Sequence, residues 1–322
     1  MTLILKDADI RSLLTPRDAI DAVREAFRQQ GLGTVGLPPK MDLPFPSSKS
    51  LLRLMPAYLQ GFPAAGAKLI CLDPTLTRRP KTFTVLVDPE SLEVLAFVAQ
   101  AWLTPFRTGA AAAVATEALA RKDSRRVGIL GVGHIAETLL PALREVMQIQ
   151  EVSVFSRTPA RREEFARRMA ESLGLDVRPV SSARRAAEGA DVVCTATSAS
   201  APLLTADDIA PGTHINAMGA AMPGKQELDP AILHKARVVV DFLPQAVERG
   251  EVSRPIAEGL FDRTRIEGEL GDIVAGKKPG RKSAEEVTVF DATGIATQDI
   301  AVSWKVYQLA RERNVGERVQ FV

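Results

Sequence analysis

Four cationic side chains in the amino-terminal half are the first candidates for chemistry: Lys40, Arg53, Lys68 and Arg107. Lys68 is the most informative of them because it lies inside the apolar run Ala67–Cys71. A buried ammonium group without a partner is costly. Lys68 therefore either faces a polar cavity that holds an anion or lies on the solvent face of a strand, and we predict that it binds an anion.

A glycine-rich turn follows an apolar run in segment 126–158 and forms a second constellation. The turn reads Gly131-Val132-Gly133-His134-Ile135-Ala136. Gly131 permits a tight strand-to-helix turn, Gly133 lets the backbone approach a pyrophosphate, and Ala136 allows close packing of helix on strand. His134 and Ile135 lie at the start of that helix, where N–H groups and the helix dipole attract phosphates. The pattern predicts a dinucleotide site.

The end of the next strand indicates which dinucleotide binds. NAD sites usually carry Asp or Glu there, as a partner for the ribose 2′-OH. This chain instead has Ser156-Arg157-Thr158, followed by Arg161 and Arg162. A guanidinium group and two hydroxyls suit a 2′-phosphate, so NADP(H) is preferred and NAD(H) stays possible. The alternative is that these arginines only solvate the start of a helix.

Further polar residues follow the predicted strands. Thr195, Thr197 and Ser198 lie at the sheet edge where cofactors dock, and they either contact the nicotinamide ribose or cap the next turn. Asp291 and Thr293 end the last strand at that edge and are candidates for contact with substrate or nicotinamide. The histidines, including His134, have no ligand-like partners, so we predict no metal site.

Alternating strands and helices are expected from residue 116 onward, which gives a doubly wound parallel sheet of the Rossmann type. The predicted strands are 126–130, 151–155, 176–180, 191–196, 213–218, 237–241 and 287–291, with helices over His134–Met147 and Pro159–Leu173. The earlier part of the chain has a helix near 18–31, capped by Thr15 or Asp18. Extended segments at 50–55, 66–72, 82–88 and 93–99 then suit an antiparallel sheet.

The fold class is therefore α/β, with a Rossmann dinucleotide-binding domain over 116–298 and a mostly antiparallel β (α+β) domain. The second domain takes residues 1–115 together with 299–322, because the helical pattern Gln298–Arg313 can return to it. Arg107 is predicted to begin an alanine-rich helix at the boundary.

Composition narrows the class of partner. The 322 residues include 41 basic and 39 acidic ones, so no excess charge favours nucleic acid or a membrane surface. No apolar stretch is long enough for a membrane helix, and no leader is recognisable, so we expect a cytoplasmic protein. Cys71 and Cys194 are predicted to be buried thiols, without a disulfide framework.

Several motifs together resemble the ornithine cyclodeaminase and μ-crystallin family, which includes an archaeal-type alanine dehydrogenase and cyclic ketimine reductases. The resemblance runs nearly end to end and rests on Arg53-Leu54-Met55-Pro56, Gly66-Ala67-Lys68, Arg107-Thr108-Gly109-Ala110-Ala111, Gly131-Val132-Gly133, His214-Ile215-Asn216-Ala217-Met218-Gly219-Ala220, Pro223-Gly224-Lys225-Gln226-Glu227-Leu228 and Phe290-Asp291-Ala292-Thr293-Gly294.

The resemblance implies a homodimer formed by the amino-terminal domains and an active site between the two domains. It also implies that Lys40, Arg53, Lys68 and Arg107 hold the carboxylate of an amino or imino acid, with Lys68 and Arg107 as the catalytic pair. Lys68 would move a proton to or from nitrogen if burial lowers its pKa. Met218 and Gly219, in one of the shared motifs, are expected beside the cofactor.

Two departures from the family pattern affect the expected reaction. Cyclodeaminases carry an aspartate two residues before the Pro-Gly-Lys step, where this chain has Ala221, which cannot transfer a proton. The change favours reduction of a preformed cyclic imine such as Δ1-pyrroline-2-carboxylate over ornithine cyclodeamination or alanine dehydrogenation. A binding protein that holds NADPH and a small ligand without catalysis is the further alternative. Gln100 is the second departure, at a position where the family often has an acid.

Overall fold

The computed structural model describes residues 1–48, 50–73 and 80–320. The chain divides into two compact units. We call Met1–Arg107 with Ile295–Val322 the amino-terminal unit, and Thr108–Gly294 the central unit. Each unit is described by itself below.

Strands and helices are numbered in chain order within the described residues. The strands are β1 (Thr2–Leu5), β2 (Val35–Gly36), β3 (Met41–Phe45), β4 (Ser50–Leu59), β5 (Ala64–Leu72), β6 (Lys81–Val87), β7 (Val94–Ala99), β8 (Arg126–Leu130), β9 (Glu151–Phe155), β10 (Asp176–Pro179), β11 (Val192–Thr195), β12 (Ser200–Leu204), β13 (His214–Ala217), β14 (Gln226–Leu228), β15 (Arg237–Val240), β16 (Ile266–Glu269), β17 (Thr288–Asp291) and β18 (Glu317–Val319). The α-helices are α1 (Asp7–Leu13), α2 (Pro16–Leu32), α3 (Leu103–Leu119), α4 (Ala136–Arg144), α5 (Pro159–Leu173), α6 (Ala183–Ala187), α7 (Pro230–Lys235), α8 (Leu243–Arg249), α9 (Ser253–Ala257), α10 (Leu270–Val274) and α11 (Ala296–Arg313). Two 3₁₀ turns span Ala206–Asp208 and Arg263–Arg265.

The amino-terminal unit is built on a mostly antiparallel sheet. Its strand order is β18-β1-β7-β6-β5-β4-β2, with β3 paired to β4. Within the described residues of this sheet, β1 and β7 are parallel and the other pairs are antiparallel. Register places Lys68 of β5 directly opposite Thr84 of β6. Direct partners in adjacent strands point to the same face, so a lysine and a threonine share one buried face of this sheet.

The central unit carries a parallel sheet in the order β10-β9-β8-β11-β13-β17-β15-β16. Strands β11, β13, β15 and β17 are buried along their whole length, as expected when helices cover both faces. The order reverses between β8 and β11, and ligands bind such sheets at the carboxyl ends of the strands beside that reversal. The predicted Rossmann sheet and antiparallel sheet are therefore confirmed.

Local signals explain where the helices of the amino-terminal unit begin and end. Thr15 caps α2 and Asp18 returns the bond, which forms a capping box, while Gly33 ends the helix in the left-handed conformation. The predicted 18–31 helix is thus extended to Pro16–Leu32. The alanine-rich helix α3 begins at Leu103, four residues before Arg107.

Three predictions need correction. Arg107 does not begin the alanine-rich helix, because α3 begins at Leu103. The helix expected over His134–Met147 is shorter, since α4 begins at Ala136 and ends at Arg144. Cys71 is exposed rather than buried, whereas Cys194 is buried. The apolar run around Cys71 does not bury every residue, because successive side chains in a strand point to opposite faces. In the described part of the chain, no helix has the length and apolar character to cross a membrane.

Candidate active site

Lys68 is buried in the amino-terminal unit and bound by an acid that the sequence analysis did not identify. The side chain is 1% exposed, and its Nζ donates to Asp299 Oδ1 at 2.9 Å and to Thr104 Oγ1 at 2.7 Å. Arg107 Nε donates to the same Asp299 Oδ1 at 3.0 Å, and its Nη1 donates to Gln298 Oε1 at 2.8 Å. One carboxylate therefore joins the two residues predicted to be catalytic, and the solvent-facing alternative for Lys68 is wrong.

The pKa values of this cluster follow from burial and neighbouring charge. Burial lowers the pKa of Lys68 to about 8, and the positive charges of Arg107 and Arg53 act in the same direction, against the opposing effect of Asp299. Burial alone would raise the pKa of Asp299, but the charges of Arg107 and Lys68 outweigh it and lower that pKa. Lys68 can therefore exchange a proton near neutral pH while Asp299 stays ionised.

Arg53 is held by a second carboxylate across a strand pair. Its Nε and Nη2 donate to Asp42 Oδ1 at 2.6 Å and Oδ2 at 2.9 Å, which is the two-pronged geometry that guanidinium groups favour. The two residues are direct partners in the β3–β4 register. Lys40, next to β3, is buried at 8% exposure.

Lys68, Arg53 and Arg107 have more hydrogen-bond donors than their partners within the unit accept. A guanidinium group has five N–H donors and an ammonium group has three. The described residues supply acceptors for two of the donors of Arg107, two of Arg53 and two of Lys68. Asp299 Oδ2 likewise has no hydrogen-bond partner among the described residues. The arrangement can therefore bind a further anion without losing its internal bonds.

Gln100 lies in the same unit and is fully buried. Its Nε2 donates to Ser303 Oγ at 2.9 Å, and its Oε1 has no partner among the described residues. A neutral side chain bound to helix α11 therefore stands at position 100.

The glycine turn of the central unit excludes a side chain at its first glycine and leaves open space at its second. Gly131 has φ of 103°, and a Cβ there would lie 2.5 Å from the carbonyl oxygen of Ala196, so only glycine fits. A Cβ added to Gly133 would meet nothing within 4 Å, so its backbone faces open space. Ile135, at the N-cap of α4, makes no side-chain cap, which leaves this helix end suited to an anion. His134 is exposed, with Nδ1 3.5 Å from the Glu137 carboxylate.

The residues predicted to select the dinucleotide lie at and after the end of β9. Arg157, Thr158 and Arg161 are exposed, and Ser156 is half-buried. Arg162 donates to the carbonyl oxygen of Ser156 at 3.1 Å, which ties the start of α5 to this segment. This contact does not reach the polar residues at the ends of β11 and β13.

Three residues predicted to contact the cofactor converge on one buried acid, Glu227. Its Oε1 accepts from the Thr197 backbone N–H at 2.7 Å and from Thr197 Oγ1 at 2.6 Å. Its Oε2 accepts from Thr195 Oγ1 at 2.7 Å and from the Gly219 N–H at 2.9 Å. Met218, buried beside Gly219, donates its N–H to the carbonyl oxygen of Thr195 at 2.8 Å. Burial raises the pKa of Glu227, although the Thr195 and Thr197 hydrogen bonds oppose the shift.

Asp291 and Thr293 are both buried in the central unit. Asp291 Oδ2 accepts from the Val252 N–H at 3.1 Å, while its Oδ1 has no partner among the described residues. Burial raises the pKa of Asp291 to about 7, and the charge of Asp241 adds to the shift. Thr293 donates through Oγ1 to Asp241 Oδ1 at 2.8 Å.

The acids Asp42, Asp299, Glu227 and Glu251 were missed as functional candidates. Asp299 and Lys68 are 231 positions apart, so no local spacing connects them. One signal was available, because Asp299 directly precedes the apolar residues Ile300, Ala301 and Val302 in a helical pattern, and a buried acid requires a cationic partner. Asp42 could be identified only from the β3–β4 register.

Comparison with known proteins gives consistent matches over the whole chain. The model of the ornithine cyclodeaminase/mu-crystallin family matches residues 1–314. An alanine dehydrogenase of Archaeoglobus fulgidus is 39% identical over 325 residues, which cover 99% of this chain and 98% of that protein.

Two solved structures share the fold closely. An archaeal alanine dehydrogenase dimer with bound NAD superposes with a TM-score of 0.94 at 38% identity, covering 100% of this chain and 99% of that one. The Δ1-pyrroline-2-carboxylate reductase of Thermococcus litoralis, in complex with NADH and L-proline, has a TM-score of 0.94 at 33% identity, with coverage of 99% and 100%.

Proposed function

The chain belongs to the ornithine cyclodeaminase/mu-crystallin family, and on that premise we propose that it is an NAD(P)H-dependent oxidoreductase. The proposed reaction reduces a cyclic imino acid of the Δ1-pyrroline-2-carboxylate type to the corresponding amino acid. The observation that carries this proposal is the buried cluster of Lys68, Arg107 and Asp299, which combines spare donors with a lysine of lowered pKa.

Five residues of the amino-terminal unit have defined roles in this proposal. Arg107 and Arg53 donate to the substrate carboxylate, and Lys40 adds positive charge to the same site. Lys68 donates a proton to the imine nitrogen, because its pKa of about 8 leaves it protonated but able to release the proton at neutral pH. Asp299 keeps both Lys68 and Arg107 in position by accepting from each of them.

The central unit is proposed to hold the dinucleotide, which supplies the hydride when it is bound. The open space at Gly133 and the uncapped start of α4 suit the pyrophosphate, with His134 and Ile135 beside it. Thr197, Met218 and Gly219 are proposed to contact the nicotinamide half, and the fully buried Thr195 to act there through its hydrogen bond to Glu227. Asp291 and Thr293 are proposed for contact with substrate or nicotinamide. We retain the boundaries 1–115 with 299–322 and 116–298 for the two functional domains as part of this proposal.

The absence of an acid at position 221 supports imine reduction over ornithine cyclodeamination. Ala221 is half-buried in the loop after β13 and cannot transfer a proton. Cyclodeamination must oxidise, release ammonia, cyclise and reduce again, so it needs more proton transfers than the reduction of a preformed imine. Alanine dehydrogenation is the second candidate, because the Archaeoglobus relative with that name is 39% identical.

The deciding experiment follows NADPH and NADH absorbance with purified protein and three substrates in turn. These are Δ1-pyrroline-2-carboxylate, Δ1-piperideine-2-carboxylate, and pyruvate with ammonia. We expect fastest oxidation with a cyclic imine. Faster turnover of pyruvate with ammonia would establish the dehydrogenase instead. Proline formation from ornithine without net NADPH consumption would establish the cyclodeaminase. Tight NADPH binding without any turnover would favour the binding-protein alternative.

NADP(H) is the proposed preference, and NAD(H) is the alternative, since the related structures contain NAD or NADH. Ser156, Arg157 and Thr158 support the preference through their exposed donors at the end of β9. We predict that Arg157→Ala raises the KM for NADPH about 10-fold and leaves the KM for NADH unchanged. Arg178→Ala, which changes an exposed arginine on β10, is the matched control. Equal effects of Arg157→Ala on both cofactors would contradict the preference.

A homodimer is also proposed. Three apolar side chains on one face of β3 are exposed in the single chain, namely Met41 at 57%, Leu43 at 54% and Phe45 at 39%. An exposed apolar stripe is typical of an interaction surface. Light scattering of the purified protein tests this proposal, and a monomeric mass would contradict it.

A further inference from the structure

Three acids of the central unit form a chain linked through the backbone. Glu227, Glu251 and Asp291 have no exposed surface. The N–H groups of Glu227 and Leu228 donate to the Glu251 carboxylate, at 2.9 and 2.7 Å to Oε1. The N–H groups of Glu251 and Val252 donate in turn to the Asp291 carboxylate. The Asp291 carboxylate therefore fixes the backbone at Glu251, and the Glu251 carboxylate fixes the backbone at Glu227. Glu227 is the last acid of the series.

Glu227 uses its own carboxylate to join two segments that follow neighbouring strands. One oxygen binds Thr197 after β11, and the other binds Gly219 after β13, with a backbone N–H donor on each side. Thr195, the last residue of β11, adds its hydroxyl to the Gly219 side. In a doubly wound sheet the strands on this side of the order reversal form the half that receives the second mononucleotide.

We propose that Glu227 is a positioning residue for the nicotinamide half of the dinucleotide site, an inference that rests on the function proposed above. Its carboxylate fixes the Thr197 and Gly219 backbones relative to each other before the cofactor binds. Preorganised backbone reduces the ordering cost of binding, so Glu227 contributes to affinity without contacting the cofactor. Glu251 and Asp291 support it by holding the segment from which Glu227 projects.

Glutamine, the neutral side chain of the same size, cannot make both backbone hydrogen bonds of Glu227. The two hydroxyl donors can rotate to accept a hydrogen bond, but the N–H groups of Thr197 and Gly219 cannot. Glutamine must place its NH₂ group against one of these two N–H groups. One of the two segments therefore loses its anchor in Glu227→Gln, although the side chain keeps its size.

Three variants test the proposal, with the NADH dissociation constant measured by fluorescence and thermal unfolding measured alongside. Glu227→Gln removes one of the two backbone anchors. Thr195→Val removes one of its donors at a fully buried position, where the hydroxyl is already bound to Glu227. Asp191→Asn is the matched control, because Asp191 directly precedes β11 at its other end and also accepts from backbone N–H groups, those of Arg125 and Arg126.

We expect Glu227→Gln to raise the NADH dissociation constant about 10-fold and Thr195→Val about 3-fold. The fluorescence of NADH bound to Glu227→Gln should also move toward that of free NADH, because the nicotinamide is less fixed. Asp191→Asn should lower the unfolding temperature but leave the dissociation constant within about twofold of the unsubstituted protein.

Two results would overturn the proposal. One is wild-type affinity in both Glu227→Gln and Thr195→Val, and the other is an equal loss of affinity in Asp191→Asn, which would reflect general loosening. If Glu227→Gln does not fold, Thr195→Val decides alone. If the unsubstituted protein binds neither NADH nor NADPH, the proposed function itself fails, which is a different result from normal binding that is insensitive to Glu227.

Discussion

The amino-terminal and central units both bury carboxylates, but they stabilise them in opposite ways. Asp299 is surrounded by the positive charges of Lys68 and Arg107, and its pKa is lowered. Asp291 is bound by backbone N–H groups with other acids nearby, and its pKa is raised to about 7. Cationic partners keep a buried acid ionised, whereas N–H groups alone do not fully compensate for burial and like charge. Asp299 is therefore expected to stay charged at neutral pH, whereas the charge of Asp291 changes near pH 7.

The same substitution can test both sites, because each acid has one oxygen without a partner among the described residues: Asp299 Oδ2 and Asp291 Oδ1. An asparagine can place its NH₂ group there and keep the existing hydrogen bonds. Asp→Asn therefore removes the ionisable group at both positions with little other change.

The largest expected effect is that of Asp299→Asn. Loss of this charge leaves two buried cations without an opposing charge, which should lower the free energy of unfolding by about 3 kcal/mol or more. Chemical denaturation measures it, with Asp21→Asn, at an exposed position in helix α2, as control. A loss below 1 kcal/mol would mean that Asp299 is not the compensating charge, and the contrast between the units would disappear.

Next in size are the effects of Lys68→Ala and Arg107→Ala on turnover. Each should lower kcat/KM by about 100-fold or more, since the substrate loses its fixed position and, with Lys68, its proton donor. Steady-state kinetics with the best cyclic imine measures the change. Lys81→Ala, which alters an exposed lysine on the adjacent strand β6, should keep wild-type rates. Near-normal rates in both variants would refute the site assignment.

The smallest effect is expected for Asp291→Asn, and it depends on pH. In the unfolded chain this carboxyl ionises near pH 4, but in the folded protein it stays protonated up to about pH 7. The folded state thus binds the extra proton between these values, and the group contributes stability that is lost as pH rises through 7. The slope is at most about 1.4 kcal/mol per pH unit.

Asp291→Asn should therefore flatten the decrease in stability between about pH 4 and 7, as measured by denaturation at several pH values. At pH 8 it should cost far less than Asp299→Asn, or even stabilise the protein. An unchanged slope would mean that Asp291 is ionised throughout this range and that the two units treat their acids alike.

Much of the fold could be predicted because its signals are local. The buried parallel strands appear in the sequence as short apolar runs, and glycine, proline and capping residues mark the helix ends, as at Thr15 and Gly33. Seven strands were not predicted: β1, β2, β3, β12, β14, β16 and β18. In β12, Pro202 argues against the interior of a strand, and β14 has only three residues. Cys71 was wrongly expected to be buried, because the position of a residue in an apolar run does not determine which face it takes.

Only part of the candidate site could be predicted from the sequence. The cations Lys68 and Arg107 were recognisable by their context and by family resemblance, and the turn Gly131–Ala136 by its spacing. Their acidic partners were not, since the contacts between Lys68 and Asp299 and between Thr195 and Glu227 depend on how distant segments pack.

The sequence by itself determined the glycine turn, the alternation of strands and helices in the central unit, the family, and the residue types that can bind a carboxylate. These depend on backbone preferences and on short-range periodicity, which the chain carries in every conformation. Only the tertiary structure decided which acids compensate which charges and which carboxyls are held protonated. A pKa depends on burial and on charges within a few ångströms, and those surroundings exist only after the chain has folded.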